Sequence, residues 1–228
     1  MTRSCSRCPV VDFGIVSRNG TEFHDRKRDL TDLLDAKSPA FNNASYDFEV
    51  NMLAILFVLL AIGSRFLVAM NPGHWWAFTP LVASLLFFGA KMPRKYIWAP
   101  VAALAVTDLL LSKFVYGYGF TADLLVSWAF YIACAWLGSA MLRENTNPSR
   151  LVVASLSSSV SFFILSNLAV WATYSMYPHN FTGLTDCFVK AIPFYRNQPV
   201  ADLLFTAVFF SVPMMLESLR GHENKVAA

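Results

Sequence analysis

The sequence predicts an all-α, polytopic membrane protein with six transmembrane helices, and three observations carry that prediction. The 228-residue chain is 56% hydrophobic and only 14% charged, against roughly 45–50% and 25% in soluble domains. Its charge is unevenly placed, since residues 1–51 hold 7 of the 18 Lys/Arg and 8 of the 15 Asp/Glu. Six apolar runs then follow, and six spans of about 20 residues would take roughly 120 residues, leaving only short loops. A large extramembrane domain is excluded, and the small net charge of +3 provides no basic face for nucleic acid.

Residues 1–51 show no sustained helical or alternating period, and Asp25-Arg26-Lys27-Arg28-Asp29 reads as solvated chain. A disordered tail is expected there, or an over-extended gene start with Met52 as the true first residue. The first long apolar stretch begins only at Met52, so no cleavable signal peptide is expected. The Cys5-Ser6-Arg7-Cys8 pair has neither partner ligands nor a βαβ context, and Cys134 and Cys187 fall in or beside apolar segments; no metal site, cofactor or disulfide framework is expected. Asn19, Asn43 and Asn180 open Asn-x-Ser/Thr matches that matter only in a glycosylating compartment.

The transmembrane domain is expected over residues 52–219, followed by a short tail over 220–228. Its apolar runs are Met52–Met70, Phe78–Ala90, Tyr96–Leu111, Thr121–Leu142, Leu151–Tyr174 and Val200–Leu219. The second and third are short and adjoin Pro80, Pro93 and Pro100, so a tight hairpin or broken helix is expected at Lys91–Lys95. Between Met176 and Pro199, the spacing of Phe188, Ile192 and Tyr195 predicts a short outer helix or re-entrant segment. Orientation follows from short-loop Lys and Arg. Lys91, Arg94, Lys95, Arg143, Arg150, Arg220 and Lys225 fall on one side, and Lys113, Lys190 and Arg196 on the other. Both termini are therefore expected in the cytoplasm, with His74 and Gly183 outside.

That orientation places the intramembrane polar groups at one depth, because a helix rises about 1.5 Å per residue. Arg65 comes late in the first helix, Thr79 early in the second, Asp108 late in the third, and Asp202 and Thr206 early in the last. Asn167, Trp171 and Tyr174 are spaced i, i+4, i+7 and share a face, as do Asp202 and Thr206. An ionised side chain in lipid costs at least ~2.5–3.5 kcal/mol, so Arg65, Asp108 and Asp202 should face the bundle interior. The bland alternatives are hydrogen-bond glue for Asn167, an interfacial belt for Trp75 and Trp76, and snorkelling for Arg65. His74 lacks a second ligand at any recognisable spacing.

The segments Asn71–Leu81 (NPGHWWAFTPL), Thr107–Leu111 (TDLLL), Phe162–Trp171 (FFILSNLAVW) and Tyr177–Thr206 (GL..C..AIPF.RN....DL..T) resemble an uncharacterised family of small bacterial inner-membrane proteins. That family is similar in architecture to the substrate-binding S components of energy-coupling-factor transporters. The resemblance implies a bacterial inner-membrane location and a pocket for a small solute. It also implies a separate energising membrane subunit with its ATPase, and it adds Asn197 to the candidate binding residues. Ala77 stands where the family pattern has Asn, and the first helix has no clear Ala-x-x-x-Ala docking stripe.

GxxxxGK[ST], HExxH and GxSxG are all absent, so the chain carries no ATP site of that type and neither common hydrolase signature. The expected function is non-enzymatic: an outward-facing pocket for a small solute, in an uptake subunit or a lone carrier. Aromatic rings beside an unpaired acid suit a neutral or cationic ring compound. Two rivals stand beside this reading. One is a scaffold similar to the rod-shape membrane proteins; the other is an intramembrane aspartyl enzyme using Asp108 and Asp202.

Overall fold

A computed structural model describes residues 21–70, 78–117 and 119–226, with side chains over 46–70, 78–117 and 119–219. Cys5, Cys8, Asn19 and the loop carrying His74, Trp75, Trp76 and Ala77 lie outside the described residues. Seven α-helices follow in order: α1 (Thr21–Met70), α2 (Leu81–Lys91), α3 (Trp98–Phe114), α4 (Ala122–Met141), α5 (Pro148–Thr173), α6 (Phe181–Tyr195) and α7 (Asn197–Val226). A 3₁₀ turn at Arg94–Tyr96 precedes α3. The chain divides into two units, Met1–Asp47 and Phe48–Ala228.

Five segments are long and apolar enough to cross a membrane: Tyr46–Met70, Arg94–Phe114, Ala122–Met141, Pro148–Thr173 and Asn197–Leu219. Together they mark a membrane protein. The second predicted run is different, because α2 has only 11 residues, about 16 Å at 1.5 Å per residue against a ~30 Å hydrocarbon core. Prolines bound it. Pro80 occupies its N-cap, and Met92, which precedes Pro93, adopts the extended conformation (φ −86°, ψ 151°) that proline imposes on its predecessor. Helix α1 differs in the opposite sense, starting at Thr21 where an irregular tail was expected. Residues 21–51 contain no glycine and a single proline, and 12 of the 31 are Leu, Ala, Arg, Lys or Glu, a composition that permits helix even without an apolar stripe.

Pairwise registers within residues 48–228 give each helix a direction. Arg65 and Asp108 meet, each near the end of its helix, so α1 and α3 run parallel. Helices α4 and α5 run antiparallel, with Phe130 on Phe162 and Asp123 on Tyr174. Val82 shares a cavity with Phe130 and Tyr131, while the Met92 carbonyl accepts from Arg143, so α2 and α4 are parallel. Phe57 stacks on Phe209 (ring centroids 3.8 Å apart) while Arg65 shares a cavity with Gln198, making α1 and α7 antiparallel. Helices α1, α3 and α5 thus point one way, and α2, α4 and α7 the other.

The core is built around the short helix. Every residue of α2 from Val82 to Ala90 is buried, and Phe87 makes edge contacts with Phe57 of α1 and Phe210 of α7. Two glycines bring α2 against α4: a Cβ on Gly89 would overlap the Ala135 carbonyl, and one on Gly138 would overlap the Leu86 backbone. Such small-residue contacts let helices associate where lipid removes the hydrophobic driving force. Away from this centre the long helices present large apolar side chains outward, among them Leu56, Leu59, Leu67, Trp136, Val153 and Met214, as a lipid-facing surface requires. At the end opposite Arg65, Arg143 donates to the Met92 carbonyl and Arg150 to the Met141 carbonyl. Cations thereby satisfy the C-terminal carbonyls of α2 and α4.

Gly138→Val should lower the unfolding midpoint in detergent, because the obstructing atoms are backbone and overpacking costs about 1–3 kcal/mol or more. Gly63→Ala, where nothing lies within 4 Å of the added carbon, should be neutral or slightly stabilising. Equal midpoints for Gly138→Val and the parent would refute the close α2–α4 contact.

Candidate functional site

Two adjoining cavities open among the ends of α1, α3, α4, α5 and α7. The inner one, about 240 Å³, is bounded by Arg65, Thr79, Phe130, Tyr131, Gln198 and Asp202, among others. The outer one, about 570 Å³, is bounded by Asp108, Ser112, Thr121, Asp123, Tyr174 and Met176 together with shared residues. Arg65, Leu111, Tyr116 and Ser127 line both, so they form the boundary between the two chambers. The outer chamber lies within the roughly 300–1,000 Å³ typical of small-molecule sites, and the inner one is just below it.

The boundary is held by an ion pair with aromatic support. Arg65 Nη2 lies 2.5 Å from Asp108 Oδ1, and Arg65 Nη1 donates to the Tyr131 hydroxyl at 2.5 Å. Tyr131 Oη in turn donates to Asp108 Oδ2 at 3.2 Å, and Trp128 Nε1 donates to the same oxygen at 3.2 Å. The guanidinium also stands 5.9 Å from the centre of the Tyr131 ring, within cation–π range. Both carboxylate oxygens of Asp108 are therefore occupied and its charge is matched. Arg65 retains a quarter of its side-chain surface, facing the chambers, whereas Asp108 is buried.

Asp202 has a different environment. Ser159 Oγ donates to its Oδ2 at 2.6 Å, and Gln198, one turn earlier on α7, supplies a second hydrogen bond. Among the described residues no cationic side chain pairs with it. At 2% exposure it is nearly enclosed, and the inner chamber reaches it. In the outer chamber, the Tyr174 hydroxyl donates to Asp123 Oδ1 at 2.8 Å, joining the ends of α4 and α5.

Of the nine residues expected to bind solute, Arg65, Thr79, Asp108, Tyr174 and Asp202 line the cavities. Thr206 is buried on the Asp202 face of α7, one turn deeper. Three lie elsewhere. Asn167 Nδ2 donates to its own helix at the Phe163 carbonyl, and its backbone and amide oxygens face Cys187 of α6. Trp171 donates to the Pro178 carbonyl and packs edge-on to His179. Asn197 is exposed at the start of α7. The docking of α6 decides this, because it covers the α5 face that carries Asn167 and Trp171. Asn180 caps α6, its Oδ1 accepting from the Gly183 N–H at 2.8 Å. Residues that motif reading passed over include Tyr116, Ser127, Trp128, Tyr131, Ser159 and Gln198. The cluster Ser155, Ser157, Ser158, Ser159 and Ser161 within an apolar helix was an available signal for the last part of this set, because such residues seek partners inside a bundle.

Residues 47–223 match DUF6580, a family of unknown function, and the chain belongs to that family. The match contains every cavity residue named above. No curated protein and no solved structure matches the chain.

Breaking a buried pair by neutralising one partner typically costs 3–5 kcal/mol, because the remaining charge is stranded. Asp108→Asn should therefore lower stability by about that amount, while Asp108→Asn combined with Arg65→Gln should recover much of it. A double-mutant cycle in detergent is expected to show a coupling of at least ~1 kcal/mol. Strict additivity would show that the pair does not hold α1 to α3.

Proposed function

We propose that this member of DUF6580 is a membrane-embedded small-solute binding protein, serving as the substrate-recognition subunit of an uptake system or as a lone carrier. The observation that supports this most is the pair of adjoining chambers, which bring an ion pair, a second acid and several aromatic rings to one end of an otherwise apolar bundle. Intramembrane ionisable groups are costly and tend to mark binding sites or pathways. Rings at Tyr116, Phe130, Tyr131 and Phe162, with hydroxyls at Thr79 and Ser127 and the Gln198 amide, suit a small, uncharged or weakly basic ring compound. Aromatic faces would stack on the ring while the polar groups orient it.

In this proposal the bundle crosses a bacterial inner membrane six times. The alternating helix directions support that count, with the run from Phe78 to Lys91 taken as the second crossing. A short α2 suffices because all its central residues are buried by protein, and irregular backbone at membrane depth is tolerated where protein or a wet cavity surrounds it. The basic residues Arg94, Lys95, Arg143 and Arg150 lie at the end opposite the chambers, which the positive-inside rule assigns to the cytoplasm. The chambers then open outward and both termini lie inside. Energised uptake would need a separate membrane subunit and ATPase, the arrangement expected if the sequence resemblance to S components extends to function.

The scaffold reading calls for an exposed apolar stripe without a cavity, and the chambers weigh against it. An aspartyl enzyme calls for two carboxylates sharing a proton. Here Asp108 bonds to Arg65, Tyr131 and Trp128 while Asp202 bonds to Ser159 and Gln198, an arrangement that weighs against a proton shared between these two acids.

Native mass spectrometry of gently purified protein should detect a bound small molecule that dissociates on activation. Tyr116→Phe and Thr79→Val should each weaken its retention by about 2–10-fold, the loss of one neutral hydrogen bond. Leu137→Ala should leave retention unchanged. A protein that never carries a small molecule, or that retains it equally in all three variants, would contradict the proposal.

A further inference from the structure

Below the inner chamber, α5 and α7 share a buried polar seam that starts at Asp202 in the chamber wall and continues inward through residues the solute site does not touch. Its register is read from two contacts. The rings of Phe163 and Tyr195 lie 4.4 Å apart, and Ser159 bonds to Asp202 at 2.6 Å. As the α5 number falls, that of its partner rises, so the helices are antiparallel and the next turn sets Ser155 opposite Thr206. Both side chains are enclosed, at 0% and 1% exposure, and neither Ser155 Oγ nor Thr206 Oγ1 has a hydrogen-bond partner. That is unusual for hydroxyls in a helix. Their neighbours bond back to their own helix in the ordinary way, Ser158 to the Ala154 carbonyl at 2.8 Å and Ser159 to the Ser155 carbonyl at 3.1 Å. Two hydroxyls that decline this option deep in an apolar bundle are turned toward something else.

We infer that Asp202, Ser159, Ser155 and Thr206 form a binding site for a hard monovalent cation of the Na⁺ class, below the inner chamber and reached from it through Asp202. The donor set is entirely oxygen, one carboxylate and three hydroxyls, which suits a hard ion rather than a soft one. Among the described residues no group of three His, Cys, Asp or Glu side chains is placed to hold a metal, so a transition-metal site is not the alternative. Charge selects the valence. One carboxylate, with no cationic side chain paired to it among the described residues, is neutralised by a single positive charge, whereas a divalent ion would leave a net charge buried in low dielectric. The inner chamber supplies the path, because Asp202 forms part of its wall. The inference is separable from the solute reading although Asp202 touches both: Ser155 and Thr206 lie one turn deeper, outside the chamber walls, and a cation there would be felt by solute-free protein.

The experiment uses the full-length protein in detergent, stripped of small molecules by dialysis, with NaCl exchanged for KCl or choline chloride at constant ionic strength. The unfolding midpoint should rise saturably with NaCl and not with choline chloride, as linkage to a ligand bound only by the folded state demands. Equilibrium binding of radioactive Na⁺ should give about one site per chain. Asp202→Asn should abolish the saturable response. Thr206→Val, which keeps shape, and Ser155→Ala should each weaken Na⁺ affinity at least ~10-fold. Ser157→Ala, whose hydroxyl bonds to the Ala154 carbonyl on the outer face, should leave it unchanged. If Asp202→Asn does not fold, Thr206→Val alone decides the matter. Equal responses to NaCl and choline chloride, full Na⁺ affinity in Thr206→Val, or tighter binding of Ca²⁺ than of Na⁺ would each overturn the inference, the first leaving the hydroxyls to water.

Discussion

An arginine set within an apolar bundle must be matched, and the pairing of Arg65 with the buried Asp108 is the constraint on which the chambers depend. The two residues come from helices separated by the whole of α2. Their attraction operates where the stranded alternative is expensive, so it holds the ends of α1 and α3 together and fixes the boundary between the chambers. Tyr131 and Trp128 extend the constraint to α4 by occupying the second carboxylate oxygen. With Arg65 engaged in this way, Asp202 is left to neutral partners on the other side of the inner chamber. One pair therefore sets both the shape of the cavity and the inequality of its two acids.

The opposite end obeys a different constraint. There α2 and α4 approach through Gly89 and Gly138, and the seat is filled by Phe57, Phe87, Phe209 and Phe210. Close packing at one end and polar groups held apart at the other produce a bundle with a tight base and a hollow top. The short α2 is central to this: it begins at Leu81, after Pro80, so its first turn, with Leu81 and Val82, and the non-helical Thr79 meet the inner chamber.

Much of the fold was legible because membrane helices announce themselves by apolar length, and the five long segments match predicted runs to within three residues at every end but one, the first starting at Tyr46 rather than Met52. What hydropathy could not convey was where helicity exceeds apolarity, as in α1 from Thr21, or falls short of it, as in α2 between its prolines. The site was legible where charge made it so. Arg65, Asp108 and Asp202 stand out in apolar sequence because lipid forbids them elsewhere. The i, i+4, i+7 argument did not bring Asn167, Trp171 and Tyr174 together. Tyr174 lies just past the end of α5 in extended conformation (φ −109°, ψ 143°), and α6 claims the face bearing the other two. Tyr131 escaped notice because an isolated hydroxyl barely alters the hydropathy of a helix, and Ser159 because nothing in the serine cluster of α5 marks which hydroxyl meets the acid; each nonetheless decides how a buried acid is satisfied.

The central claim, a polar chamber opening on the outer side, is tested most directly by thiol accessibility in intact cells, in a background with all four native cysteines replaced. Ser127 lies in the wall common to both chambers. Thr182 is exposed on α6 and can carry a cysteine, whereas any side chain at the neighbouring Gly183 would strike the Pro178 carbonyl. Ser149 is exposed at the basic end. The account predicts that a small impermeant reagent modifies Ser127→Cys and Thr182→Cys in intact cells, and reaches Ser149→Cys only after permeabilisation. Modification of Ser149→Cys in intact cells, with Ser127→Cys inert until the cells are opened, would contradict it.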